Sequence, residues 1–298
     1  VNIVRLKENR GPSAARNAGI AQSKTDLVLF VDADIYLARF CLQRLVLAYR
    51  QYSAVICPRI VFYSNPEFIQ CDGTSAHFIG TLTLLHNRLA LEKAPRTVQT
   101  VGGCPSACLL VETRIARELG GFDESYFFYF EDLEFNLKLR SKGYRIMCES
   151  RAVALHDTGR GTTDLSYRIG QKYPQQRIYL TVRKRLMTIL TYYRLLTIIS
   201  LLPVFILYEL AGILVAAWRG WLTEWARAWR WQVQNRNELR MKRQEVQATR
   251  RLGDRNLLTG GPLPISEGLI GTPIAKLGLR LLSSITNLYW RFIKILIE

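Results

Sequence analysis

Leu27-Val28-Leu29-Phe30-Val31-Asp32-Ala33-Asp34 is the stretch that decides the fold. Five uncharged residues in a row, closed by polar ones, read as a parallel-sheet strand with both faces covered. Ligands collect at the carboxyl ends of such strands. Two carboxylates one residue apart repel each other there unless a cation lies between them, and hard oxygen donors suit Mg²⁺ or Mn²⁺. An Asp-x-Asp after a strand also serves as an ordinary turn. Taken alone, the pair leaves both readings open.

Outward from this strand, residues 1 to about 155 alternate short apolar runs with helical stretches, which predicts α/β architecture with a mostly parallel sheet. Pro12 fits the first turn of a helix from Ser13 to Gln22. A helix over 38–52 and a strand over 54–62 follow. Residues 64–100 lack a clear pattern and are expected to form a long loop or lid. A strand over 107–111 and a short helix over 113–119 end at Gly120-Gly121. Residues 131–140 carry a conflict. Their apolar positions alternate as in a strand, while their Leu, Glu, Lys and Arg content and Gly143 favour a helix.

The chain has 298 residues, 49% of them apolar, which excludes a disordered polypeptide and allows a sizeable core. Its net charge of +17 implies an anionic partner surface: nucleic acid, acidic phospholipid or a phosphorylated substrate. The six cysteines show no C-x-x-C pair and are expected to be buried free thiols in a reducing cytosol. The sequence begins with Val on a strand-like run and shows no signal peptide, so upstream sequence is expected to be missing.

Beyond about residue 165 the character changes. Residues 195–218 are strongly apolar, interrupted by Pro203 and Glu209, and are long enough to cross a bilayer. Basic residues flank both ends: Arg183, Lys184, Arg185 and Arg194 before, Arg219, Arg227 and Arg230 after. A single crossing satisfies the positive-inside rule poorly at both ends, so a re-entrant or interfacial segment ranks level with a span. Tryptophans 218, 221, 225, 229 and 231 interleave with arginines, as at a lipid headgroup boundary. Residues 232–256 read as a charged helix, and 269–297 as a second membrane-surface helix. An apolar neighbour of this kind argues against a nucleic-acid-binding helix, so no nucleic acid partner is expected.

Three further elements give the carboxylate pair its context. Asn9-x-Gly11-x-x-x-Ala15-Arg16-Asn17-x-Gly19 lies upstream; Gly120-Gly121-Phe122-Asp123-Glu124 leads through aromatic residues 126–130 to Glu131-Asp132; His156-Asp157-x-Gly159 closes the set. In order and spacing these resemble the family 2 glycosyltransferases of GT-A fold, nearest to rhamnosyltransferase-like enzymes of cell-surface polysaccharide synthesis. The resemblance covers residues 1 to about 185, with 186–298 as a helical membrane-associated region. The family's usual first strand and the acidic residue after it have no counterpart here.

The resemblance implies an inverting, metal-dependent transfer from a nucleotide-diphosphate sugar to a hydroxyl of a lipid-linked or glycan acceptor, at the cytoplasmic face of a membrane rich in anionic lipid. Asp132 would be the general base. Asp34, Asp32 and His156 would hold Mg²⁺ or Mn²⁺, with Asp32 also near the ribose. Asn9 and Arg16 would contact the nucleotide, and Glu131 and Asp123 would face the acceptor. The aromatic run 126–130 would form a dry wall beside the base. The rival readings are a catalytically inactive sugar-nucleotide-binding or scaffolding module, and a nucleotidyltransferase.

Overall fold

The computed structural model describes residues 2–158, 173–265 and 273–297; Gly159 of the last motif lies outside them. The chain forms two compact units. One comprises residues 1–75 and 83–160, the other 76–82 and 161–298.

In chain order the first unit contains α1 (Gly11–Gln22), β1 (Leu27–Val31), β2 (Ile35–Leu37), α2 (Cys41–Tyr52), β3 (Val55–Phe62) and β4 (Asn65–Cys71). Strands β5 (Thr74–His77) and β6 (Thr81–Leu84) follow in the chain. Then come β7 (Val98–Thr100), β8 (Cys108–Glu112), α3 (Thr113–Glu118), α4 (Glu131–Ser141) and β9 (Ile146–His156). Seven strands make one sheet in the order β1-β8-β3-β9-β2, with β4 added on β3 and β7 on β9.

The sheet is mixed rather than mostly parallel. β3 and β9 pair in parallel, while β1 with β8, β3 with β8, β2 with β9, and β3 with β4 pair antiparallel. The sequence gives no direct sign of direction, because an apolar run covered on both faces looks alike in either sense. The expected lid over 64–100 is corrected as well. Asn65–Cys71 is a strand that returns on β3, with register shifts at Ile60 and Val61. These irregularities, together with the exposed first half of β4, break the period-2 pattern by which a strand is recognised.

Alternation along the central strands builds two cores. Leu109 and Val111 of β8, Val55 and Cys57 of β3, and Ile146 and Cys148 of β9 face α1, α3 and α4 through Ile20, Ile115, Phe135 and Leu139. Leu110, Ile56 and Met147 face α2 through Cys41, Leu45 and Ala48. β1 joins both cores, but as the edge strand it keeps Val31 exposed. All six cysteines are free and buried.

The 131–140 conflict resolves as a helix. Leu133, Phe135, Leu137 and Leu139 are all buried, as are Glu134 and Asn136. A helix buried nearly all round needs no apolar stripe, which is why its alternation imitated a strand.

In the second unit α5 (Gln175–Tyr192) packs with α7 (Leu222–Gln234) and α8 (Arg236–Thr249). α6 (Leu195–Arg219) is continuous through Pro203. A short α9 (Asp254–Leu257) leads into β10 (Leu258–Thr259), which pairs in parallel with Ala76 and His77 of β5, and α10 (Pro273–Leu296) closes the chain. The charged stretch expected as one helix over 232–256 is divided between α7 and α8, with Asn235 at the break.

Candidate active site

The carboxyl end of β1 opens onto a cleft lined by Arg16, Asp32, Glu131, Asp132, Gln70 and His156, with Ile60, Cys71, Leu84 and Pro105-Ser106-Ala107 as its remaining wall. Five of the residues singled out in the sequence therefore meet: Arg16, Asp32, Glu131, Asp132 and His156. Asp34 reaches the group through His156.

Asp32 leaves β1 in a turn. Its N–H donates to Ala107 O at 2.9 Å, and its carbonyl accepts from Ile35 N–H at 3.0 Å. Its Oδ1 accepts from Arg16 Nη2 at 2.7 Å, and Arg16 Nη1 reaches Glu131 Oε1 at 3.4 Å. The Arg16 side chain is only 8% exposed. Burial works against its charge, but Asp32 and Glu131 outweigh that and raise its pKa. Arg16 is thus a buried cation shared by the strand-end acid and the start of α4. The second oxygen of Glu131, Oε2, is buried without a hydrogen-bond partner. An orphaned buried carboxylate oxygen at the cleft is a place for a ligand's donor.

Asp132 follows in the first turn of α4, where its Oδ1 accepts the Leu133 N–H at 2.8 Å. Burial, and next the neighbouring charge of Glu131, push its carboxyl from an ordinary 3.8 up to about 7; the Leu133 N–H and Arg16 pull the other way. A carboxyl poised there can accept a proton near neutral pH. The dry surroundings come from the packing of α4 and the apolar cleft wall. The aromatic run contributes differently. Phe127, Tyr129 and Phe130 all take positive φ, at 50°, 67° and 64°, so three non-glycine residues strain the turn that delivers Asp132. Gly11, at φ +81°, abuts this turn, and a Cβ there would lie 2.3 Å from Phe127 O.

On the other side of the cleft His156 ends β9 opposite Ile35. Its Nδ1 lies 2.9 Å from Gln70 Oε1, and its Nε2 lies 3.4 Å from Asp34 Oδ2. With Gln70 Oε1 accepting, Nδ1 carries the proton and Nε2 presents a lone pair toward the carboxylate. Two acceptors facing each other fit a cation between them. Among the described residues no group of three or more His, Cys, Asp or Glu side chains is arranged to hold a metal. Asp34 and His156 are the two side chains at the cleft that could hold an Mg²⁺- or Mn²⁺-type ion, its other ligands then coming from water and substrate phosphate. Asp32, expected beside Asp34 on the metal, gives its Oδ1 to Arg16.

Two expected residues lie away from this cleft. Asn9 is exposed, and its Oδ1 accepts the Gly11 N–H at 3.0 Å, forming the turn that starts α1. Asp123 Oδ1 accepts the Ser125 N–H at 2.9 Å and caps the turn before the aromatic run. Asn17 of the same early motif also has a structural task, since its amide bonds both the N–H and the carbonyl of Phe122.

Two residues escaped notice in the sequence. Gln70 lay in the stretch without pattern. Asn136 lies four residues after Asp132, one helical turn on, and its amide donates to Cys104 O at 2.7 Å and accepts from Cys104 N–H at 2.9 Å. That double bond fixes α4 against the Pro105–Ala107 wall, and Gly103 is needed there because a Cβ would come within 2.6 Å of the Asn136 amide. The i, i+4 spacing was the available signal.

A mixed sheet flanked by helices, with acids and a buried arginine at a strand's carboxyl end, defines an α/β domain with a charged cleft. Residues 1–109 match the family model Glycosyl transferase family 2. The match contains Arg16, Asp32, Asp34 and Gln70; Asp132 and His156 lie beyond it. Two curated relatives, the pre-mycofactocin glycosyltransferases of Mycobacterium tuberculosis strains CDC 1551 and H37Rv, are each 30% identical over 161 residues, covering 53% of this chain and 32% of theirs. The match thus spans about a third of the length of those relatives. Among solved structures, GalNAc-T7 with UDP, GalNAc and Mn²⁺ has a TM-score of 0.46 at 14% identity, covering 61% of this chain and 37% of the other. Residues 1–349 of S. aureus TarS in complex with UDP-GlcNAc give 0.41 at 16%, covering 64% and 50%.

Proposed function

We propose that this chain is an inverting glycosyltransferase that moves a sugar from a nucleotide-diphosphate donor to an acceptor hydroxyl, with Asp132 as general base. The observation that carries the reading is the Asp132 carboxyl, raised to about 7 in a cleft that also presents Arg16, Asp32 and His156. Asp132 takes the proton of the acceptor hydroxyl as that oxygen attacks the anomeric carbon from the face opposite the departing diphosphate. The new carbon–oxygen bond forms as the old one breaks, so no sugar is attached to the protein and the anomeric configuration inverts.

Glu131 Oε2 is free to accept a hydrogen bond from the acceptor sugar. Arg16 balances the charge of Asp32 and Glu131, which keeps the donor's phosphates from meeting two bare carboxylates. Asp34 and His156 would hold a divalent cation. When bound, that cation supplies Lewis-acid stabilisation of the departing diphosphate. The relatives named as pre-mycofactocin glycosyltransferases are in keeping with sugar transfer.

The second unit would hold the enzyme at the cytoplasmic face of a membrane, beside a lipid-linked or surface-glycan acceptor. The test is the anomeric configuration of the product, read by NMR from the reaction with any donor that turns over. An inverted linkage is expected. A retained one would remove Asp132 from the role of base in a single displacement.

A further inference from the structure

α6 is apolar enough to cross a bilayer by length and composition, yet its surroundings in the second unit do not suit a crossing. Glu209 lies past its midpoint, paired with Arg185 of α5 and accepting the Trp229 indole N–H of α7 at 3.2 Å. α5 also carries Arg183 and Lys184, and α7 carries Arg227 and Arg230. For α6 to stand upright, these charged neighbours would have to enter hydrocarbon with it, at about 3 kcal/mol for each Arg, Lys or acid at the bilayer centre.

One face of α6 is packed instead, through Thr197, Leu201, Val204, Phe205 and Ala216. The opposite face exposes a stripe running from Leu195 and Ile199 through Ile206 and Leu210 to Leu214 and Trp218.

α10 has the same design. Thr286, Trp290 and Ile297 on or just after it are buried, while Leu277, Leu281, Ile285, Leu288, Phe292 and Ile295 are 56–70% exposed at helical spacing. Lys276, Arg280, Arg291 and Lys294 line one border of that stripe, and residues 273–296 contain no acid. The two helices meet where Tyr289 Oη donates to Ser200 O at 2.9 Å, a contact at the edge of both stripes.

We propose that α6 and α10 together form one monotopic face that lies in the plane of an anionic bilayer and enters a single leaflet. A continuous outward apolar surface bordered by the cations of α10, with the one acid of α6, Glu209, paired with Arg185, is complementary to anionic lipid and to its acyl boundary. This deepens the membrane part of the reading above and does not depend on sugar transfer. It places both termini of α6 at the same depth.

The test labels the full chain with an environment-sensitive dye at Leu195→Cys, Ile206→Cys, Leu214→Cys or Leu281→Cys, each exposed, while the native thiols stay buried. Quenchers at graded depths in phosphatidylcholine vesicles containing phosphatidylglycerol then report position. Equal, shallow depths at all four sites are expected. A dye at Ile206 at the bilayer centre, with Leu195 at the interface, would make α6 a span and overturn the proposal. No quenching at any site would overturn the membrane reading itself. Neither result touches the catalytic reading, because no turnover is measured. Flotation supplies a second readout: replacing Lys276, Arg280, Arg291 and Lys294 by Gln should weaken vesicle binding about fivefold per residue. Unchanged binding would contradict the charge-assisted docking.

Discussion

Asp132→Asn should change how stability responds to pH, independently of any catalysis. In the folded chain the Asp132 carboxyl titrates at about 7, against an ordinary 3.8. A raised carboxyl means that the native state holds its proton over a range where the unfolded chain has lost it. Its stabilising contribution is therefore fully present below pH 3.8 and is lost as pH rises toward 7. A shift of about three units corresponds to a ceiling of about 4 kcal/mol, of which about 2–3 falls between pH 5 and 7.5. Asp132 is half-buried and shares its charge with Glu131, so about 1–2 kcal/mol is the working expectation. The asparagine cannot ionise and escapes this loss. Urea denaturation of both proteins at pH 5 and pH 7.5 measures the double difference. The variant should gain on the parent by that amount at the higher pH, and an equal difference at both values would refute the raised carboxyl.

Three further outcomes follow from the geometry. Gln70→Leu removes the acceptor that fixes the His156 tautomer, and should weaken Mn²⁺ binding in the presence of a nucleoside diphosphate about 10- to 100-fold by calorimetry; unchanged affinity would show that His156 orients itself. Asn136→Leu leaves the Cys104 N–H and carbonyl without their bonds, costing about 2–4 kcal/mol in chemical denaturation, while Gly103→Ala should mimic it by crowding the same amide. Stability within about 0.5 kcal/mol of the parent in both variants would contradict the clamp. Asp72→Asn should destabilise the first unit by about 3–5 kcal/mol, because Arg59 Nε and Nη2 donate to Asp72 Oδ1 and Oδ2 at 2.7 Å each and both side chains are buried. A loss under about 1 kcal/mol in a urea titration would show that the pair is readily replaced.

The strand at Leu27–Val31, helix α4 and the meeting of Arg16, Asp32, Asp132 and His156 were legible because each rests on local composition or on motif order. Strand direction was not legible, since covered apolar runs look the same in parallel and antiparallel pairing. Strand β4 hid behind Pro66 and Glu67 and its own irregular register, and Gln70 was hidden with it. Asn9 and Asp123 have side chains suited to ligand binding and to turns alike, and the structure uses both in turns. Asp32 shows the same limit from another side. Its partner was visible in the sequence as Arg16, but only the fold brings the guanidinium of α1 to the end of β1.

Sugar transfer from a panel of nucleotide-diphosphate sugars, with Mg²⁺ or Mn²⁺ and followed by nucleoside diphosphate release, tests the central claim most directly. At least one donor is expected to turn over, with a rate that rises as pH approaches 7 from below and falls at least a hundredfold in Asp132→Asn. Turnover of no donor, or equal turnover by the parent and Asp132→Asn, would contradict it.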